Sequence, residues 1–295
     1  MITIPEAFDK FKSRLELTDR EQEDASRRQQ KIREYLREQF EIEKDFLTGS
    51  YARWTKTKPL KDVDIFFVLG KKERGYREKK PNVVLEKFRE VLAPKYGENQ
   101  VSLGRRSVQV DFGVPVVEDT TKDQVMSVDV VPAVTAGSHY EIPDRTTGEW
   151  VMTDPEVHAE LTTKANKAFS GEWKPLVKMI KKWNQTAGKP VKPSFLLEVM
   201  ALELFVPEFS GGYPYELKGF FATAADRIGE VWPDPAKLGP AVSDQMDQGK
   251  ASVARGALLG AEESVTRAIH LAKNGRQGDA LEEWRKLFGP LFPLS

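Results

Sequence analysis

The chain has no cysteine among its 295 residues. That excludes disulfides, thiol nucleophiles and cysteine-built zinc sites, and it fits a reducing compartment. Histidine is scarce: His139, His158 and His270 stand in unrelated contexts without ligand spacing and are expected to be structural or superficial. An excess of one charge is missing, since 45 basic residues balance 45 acidic ones. A protein that grips a long nucleic acid usually shows a basic excess, so a polymer is disfavoured as the main substrate. Long apolar runs are missing too. The most apolar stretch, from Phe195 to Val206, is interrupted by Glu198 and Glu203, so no membrane contact is expected. The first six residues lack the basic and apolar parts of a signal peptide, so a cytoplasmic location is expected. Neither a Walker A pattern nor G-x-G-x-x-G occurs, which disfavours P-loop and Rossmann readings.

What is present centres on Thr48-Gly49-Ser50-Tyr51, followed by Lys61-Asp62-Val63-Asp64-Ile65 and the apolar run to Leu69. The first part reads as a turn that can grip a phosphate, with Gly49 allowing close backbone approach and Ser50 offering its hydroxyl. The second reads as a strand in which Asp62 and Asp64 share a face. Two acids beside a buried strand are costly unless a cation sits between them, and a divalent metal is the simplest such partner.

Around this stretch the pattern predicts α/β architecture followed by helices alone. Residues 6 to 40 read as one long helix, or as two broken near Leu17-Thr18-Asp19, where Thr18 can cap. Strands are expected over 62 to 69, 101 to 112 and 125 to 131, the last ended by Pro132. Residues 82 to 92 read as a helix. Gly70 to Pro81 and residues 115 to 123 read as loops, and Gly137 to Asp154 as an irregular connection. Helices follow at about 155 to 169, 174 to 187, 193 to 206, 215 to 228, 243 to 273 and 277 to 288. The change of pattern divides the chain into residues 1–154 and 155–295.

Nucleotidyl transfer through two metal ions needs at least two shared carboxylates, and a third to hold the ion that activates the attacking hydroxyl. Asp62 and Asp64 supply two. Asp129, tightly flanked by Val128 and Val130, is preferred as the third over Asp111, which precedes Phe-Gly and suits a solvent-facing strand end.

Together, Gly49-Ser50, Asp62-x-Asp64 and Asp129 resemble the nucleotidyltransferases of the DNA-polymerase-β type. The stretches Pro175–Asn184 and Pro193–Glu198 resemble the helical lobe of oligoadenylate synthetases, cyclic GMP–AMP synthase and the bacterial CD-NTases of CBASS anti-phage systems. The resemblance implies a polymerase-β-like core with a long N-terminal helix, a helical C-terminal lobe and an active site in the cleft. It implies an enzyme that joins ribonucleoside triphosphates, ATP among them, into a cyclic di- or trinucleotide second messenger. Two Mg²⁺ ions, or Mn²⁺, would be held by Asp62, Asp64 and Asp129. The donor triphosphate would be held by Gly49, Ser50, Lys181 and Ser194. Phe195 matches an aromatic that stacks on the donor base, with plain core packing an equal alternative, and the other lysines of that helix read as a solvated basic face. A HORMA-type activator or another CBASS protein is an implied partner. Two rivals fit the same core: an archaeal-type CCA-adding enzyme acting on tRNA, and a catalytically silent nucleotide-binding adaptor.

Overall fold

Thr3 and Thr18 begin two separate helices. Each threonine oxygen accepts the amide three residues on, from Glu6 or Glu21, and each glutamate accepts the threonine's own amide in return. This reciprocal cap gives partners to donors the helix leaves orphaned. The computed structural model describes residues 2–117 and 121–295. Glu118, Asp119 and Thr120, in the loop expected over 115 to 123, lie outside the described residues.

The elements run α1 (Ile4–Leu15), α2 (Asp19–Gln39), β1 (Ile42–Thr48), α3 (Gly49–Ala52), β2 (Asp62–Leu69), α4 (Pro81–Tyr96), β3 (Val101–Leu103), β4 (Val108–Asp111) and β5 (Ser127–Ala136). They continue with β6 (His139–Asp144), β7 (Glu149–Thr153), α5 (Pro155–Ala168), α6 (Trp173–Thr186), α7 (Phe195–Leu204), α8 (Tyr213–Arg227), α9 (Gln248–Lys273) and α10 (Gln277–Phe288). Two compact units result. The sheet unit comprises Leu17–Trp54 and Pro59–Ala159, and the helical unit Met1–Glu16, Thr55–Lys58 and Glu160–Ser295. This grouping differs from a single cut at 154/155. The apolar face of α1 explains why: Phe8 and Phe11 pack on Trp284 and Phe288 of α10, each with ring centroids 4.8 Å apart.

In the sheet unit the strand order is β1-β2-β5-β4-β3, and β5 continues into a hairpin of β6 and β7. The β2–β5 pair is parallel and the others are antiparallel. One sheet face buries Val63, Ile65, Val128, Val130, Val108 and Val110 in a core shared with Ile32 and Leu36 of α2 and Leu85 and Phe88 of α4. The polar alternates are thereby aimed at the opposite face.

Several expectations are corrected. Pro132 does not end its strand, because β5 runs to Ala136. Pairing with β4 stops at Val130 and pairing with β6 starts at Val134, so the proline sits where that edge changes partners and its missing donor costs little there. Gly137 to Asp154 is not irregular but the β6–β7 hairpin, masked in sequence by Pro143 and the short strands. The stretch 101 to 112 is two strands, closed by the Gly104 amide donating to the Ser107 carbonyl at 2.8 Å. The expected loop from Gly70 to Pro81 contains 3-10 helical residues Lys71–Glu78. β1 was hidden by its charges: Asp45 has a side chain 2% exposed because Arg33 and Arg37 of α2 both pair with it. The lysines of α6 are not a solvated face. Lys178, Lys181 and Lys182 are all buried, and Lys178 pairs with Glu16 of α1 at 2.6 Å.

Candidate active site

Residues opposed across a sheet project to the same side. The register aligns Thr48 with Asp64, Asp64 with Asp129, and Asp129 with Gln109, giving one row across four strands. Two residues along, Asp62, Ser127 and Asp111 form a second row, and a two-residue step keeps the face. Asp62, Asp64 and Asp129 are therefore brought together. They sit on the polar side of strands whose other side is core, and all three are half-buried. Asp111 shares the face but is exposed, and its carboxylate accepts the Gly113 amide at 2.7 Å.

The turn after β1 closes on this row. Gly49 has φ +65, and a Cβ built on it would lie 1.7 Å from Oδ2 of Asp64. Only glycine allows both the left-handed backbone and that approach. Ser50 follows in the same single turn, α3, so Gly49 and Ser50 lie beside the acids in the sheet unit.

Asp129 carries the electrostatic cost. Burial, followed by the Asp64 and then the Asp62 carboxylates, pushes its carboxyl up to about 8. Hydrogen bonds from the side chains of Gln109 and Ser107 oppose this; Ser107 Oγ donates to Oδ1 at 3.4 Å. Between the ordinary carboxylate pKa and about 8, the folded metal-free protein holds a proton that the unfolded chain releases. Stability in EDTA is therefore expected to fall as pH rises through that window. Replacing Asp129 with Asn removes this slope. The variant should match the wild type near pH 4 and exceed it by a few kcal/mol near pH 8, given about 1.4 kcal/mol per pKa unit; thermal melts across pH measure it.

Three carboxylates on one sheet face suit a hard divalent cation. Among the described residues no three or more His, Cys, Asp or Glu side chains form a ready-made cage. Mg²⁺ commonly takes one or two carboxylates and completes its shell with substrate phosphates and water, so the donor set fits that ion.

Lys181, Ser194 and Phe195 lie in the helical unit. Lys181 is buried, and its Nζ donates to Glu198 Oε1 and, at 3.5 Å, to Thr55 Oγ1. Thr55 Oγ1 donates in turn to Glu198 Oε2 at 2.9 Å. Ser194 is exposed at the N-cap of α7, and its side chain makes no capping bond to its own helix. Phe195 is half-buried against the helical core. Sequence reasoning missed Thr48, Ser107, Gln109 and Ser127 around the acids, and Thr55 and Glu198 around Lys181. Only strand register could reveal the first group; Glu198 was visible only as an acid interrupting an apolar run.

Comparison with known proteins agrees with this geometry. Residues 2–166 match the family described as the Second Messenger Oligonucleotide or Dinucleotide Synthetase domain. A probable cyclic nucleotide synthase of Bacillus cereus is 28% identical over 279 residues, covering 83% of this chain and 81% of its own. A cyclic AMP-AMP-AMP synthase of an Acinetobacter species is 28% identical over 270 residues, covering 85% and 73%. E. coli CdnC, solved in complex with a HORMA protein, superposes with a TM-score of 0.70 at 19% identity over 98% of both chains. Among the described residues no helix is long and apolar enough to cross a membrane. The family match covers more than half of the chain: the protein belongs to the second-messenger oligonucleotide or dinucleotide synthetases.

Proposed function

We propose that the protein condenses ribonucleoside triphosphates, ATP among them, into a cyclic di- or trinucleotide that signals in anti-phage defence. The observation that carries this is the row of Asp64 beside Asp129, with Asp62 on the same sheet face. Asp62 and Asp64 would be shared by two Mg²⁺ ions and Asp129 would help hold the ion that activates the attacking hydroxyl; Mn²⁺ suits the same donors. When bound, the ions neutralise charge on the transferring phosphoryl group and make the hydroxyl more acidic.

The chain's own groups do the rest. Gly49, with no Cβ, lets the turn lie against Asp64, and its neighbour Ser50 offers a hydroxyl to the donor triphosphate. Ser194 offers a second, at a helix start that favours anions. Lys181 supplies positive charge to the triphosphate, sharing it with Glu198. Phe195 stacks on the donor base. The relative named as a cyclic AMP-AMP-AMP synthase supports adenosine in the product and a ring of three. The similar fold of CdnC, solved with a HORMA protein, supports a HORMA-type activator or another CBASS protein as partner. Residues 1–154 are proposed to carry the catalytic acids and 155–295 the helical lobe, with α1 packing on the latter.

The test supplies purified protein with Mg²⁺ and labelled ATP, alone and with each other ribonucleotide, and then treats the mixture with phosphatase. Label retained in a phosphatase-resistant small product supports the proposal. In a parallel reaction with tRNA added, label transferred to the tRNA overturns it in favour of tRNA extension, and triphosphate bound without turnover overturns it in favour of a silent adaptor.

A further inference from the structure

The β3–β4 turn, Gly104 to Ser107, carries two arginines that pair with one buried acid. Asp144, a carboxylate with 0% exposure, takes both. Arg105 Nε donates to Oδ1 at 3.0 Å, and its terminal nitrogen lies 2.7 Å from Oδ2. Arg106 Nε donates to Oδ2 at 2.9 Å. The amides of Thr146 and Thr147 complete the shell at 3.0 and 3.3 Å. A further backbone bond ties the turn down, from the Arg145 amide to the Arg105 carbonyl at 2.9 Å. The turn is thus fixed, and its two cations are committed to a buried anion.

Ser107, the last residue of the turn, and Gln109 of β4 lie beside Asp129 with neutral polar side chains. Ser107 Oγ donates to Asp129 Oδ1. Gln109 lies directly opposite Asp129 in register, on the same face of the sheet. Gln109 Nε2 also lies 3.4 Å from Ser127 Oγ, which donates to the Lys61 carbonyl at 3.1 Å, one residue before Asp62. An aspartate's terminal torsion is broad when nothing holds it. Hydroxyl and amide donors hold it without supplying the positive charge that would compete with a metal ion. A lysine or arginine in either place would orient the carboxylate and neutralise it at once.

We infer that Ser107 and Gln109 are positioning residues that hold the Asp129 carboxylate in its metal-binding orientation. This rests on Asp129 being a metal ligand. Groups that stand behind a ligand in this way typically change metal affinity by about 10–100-fold when removed.

The test compares Ser107→Ala, Gln109→Leu, Ser107→Thr and Asp129→Asn with the wild type. Mn²⁺ binding to nucleotide-free protein is followed by the electron paramagnetic resonance signal of free Mn²⁺. Turnover and KM for ATP are measured alongside, and thermal melts confirm that each variant is folded. Ser107→Ala and Gln109→Leu should each weaken Mn²⁺ binding by about 10-fold or more. They should lower kcat in step and leave KM for ATP near the wild-type value. Ser107→Thr keeps the hydroxyl and should restore binding. Wild-type Mn²⁺ affinity in both folded Ser107→Ala and Gln109→Leu, or a Ser107→Thr as defective as Ser107→Ala, would overturn the inference. Loss of Mn²⁺ binding in Asp129→Asn alone removes the positioning role but keeps Asp129 as ligand. Unchanged binding in Asp129→Asn removes the ligand assignment itself.

Discussion

Replacing Asp62 and Asp64 together with asparagine should reduce pyrophosphate release by at least ~10³-fold, because it would remove two of the three carboxylates proposed to hold a metal clamp worth several kcal/mol of barrier. The fold should survive. Asparagine keeps the size of aspartate, and β2 is anchored by Val63, Ile65 and Phe67, all fully buried. The acids hold no part of that core, since they project to the other face. The substitution should even relieve strain in the metal-free state. Asp64 and Asp62 are two of the causes that raise the Asp129 carboxyl, so their loss lets it titrate closer to its ordinary range. The expected pair of results is no turnover together with a melting temperature in EDTA at pH 8 equal to or above the wild type. A variant that unfolds would show the acids to be structural. A folded variant that still releases pyrophosphate would show the chemistry to lie elsewhere.

Gly49→Ala should be almost as damaging, through geometry alone. The added methyl would overlap the Asp64 carboxylate, with 1.7 Å to Oδ2 and 2.5 Å to Cγ. Neither partner can yield easily: Gly49 follows β1 directly, and Asp64 is held in register between Thr48 and Asp129. The left-handed backbone adds about 1–2 kcal/mol for alanine. Displacing a reacting group by about 1 Å can cost ~10²-fold in rate, so kcat should fall by that factor or more while the protein stays folded. Ser50→Ala, which leaves Asp64 untouched, should instead weaken triphosphate binding and raise KM. Assays of both variants at saturating and limiting ATP separate the two roles. Equal defects in both would mean that the turn acts only as a phosphate grip.

Much of this site is legible in the residues because its chemistry is local. Asp62 and Asp64 share a face by the two-residue period, and the apolar run after them marks the strand as buried. Gly49-Ser50 precedes them at a spacing that fits a returning strand. The capping of Thr18, and the helices from 155 onward, follow from periodicity and from breaks at glycine and proline. What stayed hidden depends on pairing between distant segments. Asp129 and Asp111 look alike as single acids in apolar strands. Their flanking residues favour Asp129, and the parallel register supplies the physical ground, setting Asp129 against Asp64 and leaving Asp111 exposed. β1 escaped because Asp45 is buried through ion pairs with α2, which erases the alternation a strand would show. The basic residues of α6 suggested solvent because their partners, Glu16 and Glu198, are remote in sequence.

The most direct measurement counts pyrophosphate against nucleotide incorporated, with mass spectrometry of the product formed from all four ribonucleoside triphosphates. Ring closure uses every triphosphate, so cyclic synthesis by the Asp62, Asp64 and Asp129 site predicts one pyrophosphate released per nucleotide incorporated and a product mass without a terminal phosphate. Less than one pyrophosphate per nucleotide, with a triphosphate retained at the product's end, would contradict it.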